Sequence, residues 1–142
     1  MTPGKTDRIR AYLKKRGCPG HVVEGGLERL VAQWEEATAS VAGGYGLGLE
    51  DYLNDMDGRQ LIADVIDLAP ASVRKNLTSR VAKADTRIKV VLKPAEACLW
   101  GPAEAKTRGW TARSNWWYFR IPENPGPDLA EDLTTDPGPT KG

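Results

Sequence analysis

The sequence predicts a mainly α fold: one domain over residues 1–133, a bundle of about five helices with a C-terminal extended aromatic segment, followed by a disordered tail at 134–142. Three observations predict it. Apolar residues recur at spacings of three and four through most of the first 93 positions. Proline and glycine punctuate those stripes where helices start and stop. At 142 residues, with 40% hydrophobic and 27% charged side chains, the chain has the size and composition of a single globular domain. An α+β alternative pairs residues 87–92 and 115–121 in a short hairpin, because both windows are rich in β-branched or aromatic residues.

The first helix runs from a cap at Thr6 to Gly17, with Ile9, Tyr12 and Leu13 on its apolar face. The second begins at Pro19 and carries Val23, Leu27, Leu30, Val31, Trp34 and Val41. Gly25 and Gly26 lie inside it and mark either a close helix contact or a later start. In 49–68 two apolar faces are out of phase: Leu49, Tyr52, Leu53 and Met56, then Leu61, Ile62, Val65 and Ile66. Asp57 with Gln60 has capping-box spacing, which predicts two helices, 49–56 and 58–68.

Pro70 opens a long helix that Pro94 ends, with Val73, Leu77, Val81, Ala84, Ile88 and Val91 in one stripe. A short helix is expected near 102–108. In an extended Trp116–Phe119 segment, side chains alternate, so Trp116 and Tyr118 face solvent while Trp117 and Phe119 face the core. Leu129 and Leu133 give at most a last weak turn, and composition predicts disorder after it.

Charge falls in four blocks that nearly cancel. Residues 1–23 carry +5, 24–70 carry −8, 71–120 carry +8 and 121–142 carry −4, for a net +1. The −8 and +8 blocks meet at Pro70, so the acids of 49–68 are expected to pair with the bases of 71–93. Leu27, Leu30, Trp34, Leu53, Leu61, Val65, Leu77, Val81 and Ile88 are the expected core.

No apolar run approaches the roughly 20 residues of a membrane helix, and no apolar stretch follows the basic N-terminus. Two cysteines 80 positions apart suit a reducing cytoplasm. Cys18-x-x-His21 with Cys98 falls short of a zinc set. The helix start at Cys18 would lower its thiol pKa, the one feature favouring nucleophilic chemistry. Asp55-Met-Asp57-Gly58 departs from a calcium loop, whose first ligand position falls on Leu53. No phosphate-cradling glycine motif occurs.

These readings favour a cytoplasmic, non-enzymatic protein-interaction protein of inhibitor or immunity type, without cofactor or metal. Its partner-binding residues are expected to be Arg113, Trp116, Tyr118 and Arg120 on an aromatic and basic arm, with Asp51 and Asp55 on an acidic helical face. One alternative is a single-stranded nucleic-acid binder through 74–120, using Lys106, Arg108 and Trp110 beside Trp116 and Trp117. Another is a carboxylate–metal protein or hydrolase in which Asp51 and Asp55, at i and i+4, combine with Glu24, Glu28, Glu35 or Glu36 of the second helix.

Overall fold

A computed structural model describes residues 5–135. Its elements are α1 (Lys5–Lys15), α2 (Gly20–Ala42), α3 (Leu49–Val65) with a 3-10 turn at Ile66–Leu68, α4 (Ala71–Lys89), β1 (Leu92–Pro94), α5 (Pro102–Arg108), a 3-10 turn at Trp116–Tyr118, β2 (Arg120–Pro122) and α6 (Pro127–Thr135). The fold is mainly helical, as the periodicity predicts. Among the described residues no helix is long and apolar enough to cross a membrane.

α2 is the central element and packs on α4, α3 and α1. It changes direction at Gly26, whose φ of 61° and ψ of −155° belong to a region open essentially to glycine alone. The apolar stripe of α2 therefore runs true only from Leu27 onward, through Leu30, Val31, Trp34 and Val41, all buried. Every expected core residue is buried except Leu61, which is half-buried beside a cleft. Val73, the expected start of the α4 stripe, is 46% exposed.

α3 corrects the expectation of two helices. It is continuous through Asp57, and Asp57 caps nothing. The phase change between its apolar faces is a change of packing partner along one rod. α6 covers its start, while its middle meets the Trp116–Tyr118 turn. Leu49, Tyr52, Met56, Ile62 and Val65 are all buried as a result.

The helix expected to reach Pro94 stops at Lys89. Ile88 is fully buried, Val90 is 73% exposed, and the chain then extends to bury Leu92. Leu92, Lys93 and Pro94 pair antiparallel with Pro122, Ile121 and Arg120. The hairpin alternative for 87–92 and 115–121 thus has the right kind of pairing, with both strands placed too early in the chain. Toward the C-terminus, α6 is a full helix with Leu129 fully buried, so Thr134 and Thr135 are helical rather than part of a disordered tail. The rest of that expectation, 136–142, lies outside the described residues.

The expected charge pairing of 49–68 with 71–93 is also corrected. Arg80 of α4 reaches Glu28 and Glu35 of α2, each at 2.6 Å. α3 and α4 are bridged by the minority charge of each block: Arg59 of α3 holds Asp85 of α4 through both carboxylate oxygens, at 2.9 and 3.0 Å. Of the acids of 49–68, Asp67 alone contacts a base of α4, and it does so through its backbone carbonyl, which accepts from Arg74. α4 buries its stripe chiefly against α2, which places its basic flank beside the acids of α2.

Candidate functional site

The aromatic segment is not extended. Trp116, Trp117 and Tyr118 form one 3-10 turn, in which successive side chains fan around an axis instead of alternating. Each finds a separate partner. Trp116 lies against Trp34 with ring centroids 6.4 Å apart. Trp117 sits beneath the Arg59 guanidinium at 4.4 Å. Tyr118 stacks on Trp110 at 4.2 Å and donates its hydroxyl hydrogen to Asp57. Trp116 and Tyr118 are 8% and 1% exposed, so the solvent exposure expected of them is overturned. Phe119, expected inside, is partly exposed.

The predicted partner-binding residues do not converge. Arg113 is exposed beside a hollow of about 520 Å³ shared with Arg59, Asp85 and Trp117. Arg120 is half-buried in β2, its carbonyl accepting from the Tyr52 hydroxyl. Asp51 is exposed on α3. Asp55 is half-buried, accepts the Tyr45 hydroxyl at 2.8 Å, and lines a separate hollow of about 430 Å³. Burial holds the Asp55 carboxyl above its ordinary value, against the hydrogen bond from Tyr45. Among the described residues no three His, Cys, Asp or Glu side chains come close enough to hold a metal, so the Asp51–Asp55 pair acquires no Glu from α2.

A third cavity, of about 360 Å³, opens between the end of α1, the middle of α3 and the segment from Trp100 to Tyr118. It is smaller than the other two but chemically the most organised. Asp57 projects from α3 at its wall, held by two donors on one oxygen: the Trp100 indole Nε1–H at 3.0 Å and the Tyr118 hydroxyl. Oδ2 accepts no hydrogen bond among the described residues, and Asp57 has no ion-pair partner there. Burial pushes its carboxyl above the ordinary carboxylate value, a shift opposed by the two hydrogen bonds and by the more distant Arg16 and Arg108.

The other charges of this cleft are already matched. Arg16 reaches Asp64 at 3.2 Å and the Tyr12 hydroxyl at 2.8 Å. Arg108 donates to Glu104 at 2.8 Å, one helical turn away on α5, and lies 6.0 Å over the Trp110 ring. Gly109, in a left-handed conformation, ends α5 and turns the chain so that Trp110 folds back onto Tyr118. Gln60 links the wall to the aromatic turn: it donates to Asp64 and accepts from Asn115, both at 2.9 Å.

Sequence reasoning places Arg108 and Trp110 among candidate binders but misses Asp57, Trp100, Glu104 and Arg16. The acid reads as a helix cap because its true partners, Trp100 and Tyr118, lie 43 and 61 positions away. Cys18 lines the same cleft, and Cys98 is buried; both thiols are free. Burial raises both thiol pKa values, which overturns the expectation of an activated Cys18.

In comparisons with protein-family models, with curated proteins and with solved structures, the chain matches none.

Proposed function

We propose that this chain is a non-enzymatic interaction protein of the cytoplasm that binds another protein through the Asp57 cleft. One observation carries the reading. The mouth of the cleft gathers two tryptophans and two arginines, Trp100, Trp110, Arg16 and Arg108, around a recess of about 360 Å³. Tryptophan and arginine dominate the residues on which protein interfaces depend, and a recess among them receives an anchoring side chain. Both arginines are held by carboxylates and both indoles by an acceptor or a stacked ring, so little side-chain freedom is lost on binding. The free thiols suit a reducing compartment. The nucleic-acid alternative has less support, since Trp116 and Trp117, two of its three stacking rings, belong to the core.

Site-specific photocrosslinking in the native host tests the reading. A photoreactive side chain at Thr107, exposed on α5 beside Arg108, is expected to capture one protein reproducibly, while the same group at Val90, 73% exposed just beyond α4, captures none. Equal capture at the two positions, or capture at neither, overturns it.

A further inference from the structure

We infer that the Asp57 cleft receives the guanidinium of an arginine side chain from a basic segment of the partner, with Asp57 Oδ2 as its acceptor and the Trp100 indole as its wall. This rests on the proposal that the cleft binds a protein, and it adds the chemistry of the anchor.

The charges of the cleft point to a cation. Arg16 and Arg108 are each discharged by an acid of their own, Asp64 and Glu104. Asp57 has none, although it sits half-buried in an aromatic wall. Arg16 and Arg108 act on Asp57 only from a distance, and a half-buried carboxylate with no ion pair of its own is stabilised by an incoming cation that pairs with it directly. Oδ1 is saturated by Trp100 and Tyr118, which fixes the carboxylate plane and leaves Oδ2 for the ligand. The same burial holds the carboxyl above its ordinary pKa, and pairing with a cation reverses that shift.

The wall favours guanidinium over ammonium. A planar, weakly hydrated cation stacks on indole faces, whereas an ammonium group is a compact and strongly hydrated point charge. Trp110 is already covered by the Tyr118 ring and by the Arg108 guanidinium, so Trp100 is the indole left for an incoming cation. An apolar or acidic anchor would leave Asp57 unpaired and desolvated, and a metal ion lacks further ligands there among the described residues.

The test is a titration of the full-length protein with four capped probes, followed by the Trp100 indole N–H resonance, which is assigned through a Trp100→Phe variant. The probes are acetyl-arginine amide, acetyl-lysine amide, acetyl-citrulline amide and adenosine monophosphate. Arginine is expected to shift the resonance saturably. Citrulline, which has the same shape without the charge, is expected to bind about tenfold more weakly or worse, as loss of a charged hydrogen bond implies. Lysine should fall between them. Asp57→Asn keeps an oxygen for Trp100 and Tyr118, so its thermal melt checks that the fold survives. It is expected to abolish the preference for arginine over citrulline. Equal binding of arginine and citrulline, or a nucleotide bound more tightly than arginine, overturns the inference. If position 107 still crosslinks a protein in that case, the anchor assignment has failed and the interaction reading stands. If neither probe nor crosslink appears, both have failed.

Discussion

The indole of Trp34 donates to Asp85 across α2 and α4 at 2.9 Å, and the same carboxylate oxygen accepts from Arg59 of α3 at 3.0 Å. One acid thereby ties three helices together. Arg59 and Asp85 are only 12% and 16% exposed, and the far face of the guanidinium rests on Trp117. Asp85→Ala strands a desolvated arginine and a buried indole donor, and is expected to destabilise the fold by about 3–5 kcal/mol in chemical denaturation. Adding Arg59→Met should recover part of that loss, because the remaining charge goes with it. A double variant no more stable than Asp85→Ala alone would contradict this account of the node.

Replacing Trp116 and Tyr118 together with alanine should unfold the protein. Both rings are core, and truncating a buried aromatic costs about 3–5 kcal/mol at each position. The sum approaches the whole stability of an ordinary domain. A cooperative melt within a few degrees of wild type would return these rings to the surface.

Asp57→Asn should raise stability at pH 7 and leave it unchanged at pH 3. Burial lifts the folded-state pKa of Asp57 above its ordinary 3.8. Between the unfolded and folded values the native state binds more protons, so stability falls as pH rises through that window. The asparagine variant carries no such loss. Thermal melts across pH 3–7 read the difference, which should open just above the ordinary carboxylate range. A variant less stable than wild type at pH 7 would mean that the carboxylate charge stabilises the fold.

Gly26→Ala is expected to cost about 1–3 kcal/mol through backbone conformation alone, since a Cβ there would meet no atom within 4 Å. Denaturant unfolding measures it. The direction change of α2 would survive in a variant of unchanged stability only if another residue type tolerates this φ and ψ.

Much of this was readable in advance, and the boundary between what was and was not has a physical cause. Leu27, Leu30, Trp34, Leu77, Val81 and Ile88 are legible because each sits on a stripe that any helix must bury, whichever neighbour covers it. Periodicity divides α3 into two helices because it reports which face is buried and is silent on whether one partner or two bury it. The local signal at Asp57 was a capping box, and it lost to Trp100 and Tyr118, far along the chain. Charge blocks misled for a related reason. Adjacency in sequence put the acids of 49–68 beside the bases of 71–93, whereas apolar burial set α4 against α2 and left Arg80 to pair there. The Trp100–Trp110–Asp57 cleft is assembled by tertiary contacts alone, so no local pattern announces it.

α3 starts after Gly48, which has no side chain to cap it, and the first amide of the helix, that of Leu49, donates instead to Asp132 of α6 at 2.9 Å. Beside it, Gly126 presses so closely on the Tyr45 carbonyl that any Cβ would overlap it. A ribosome delivers the chain from its N-terminus, so α3 is synthesised 83 residues before the group that completes it. The nascent bundle must therefore hold an uncapped helix, with the Leu129 site still empty, until α6 emerges. Termination before α6 should leave a collapsed chain whose Leu49–Tyr52 amides exchange with deuterium far faster than those of Ile62–Val65. In this protein α6 is the latch that the earlier helices wait for.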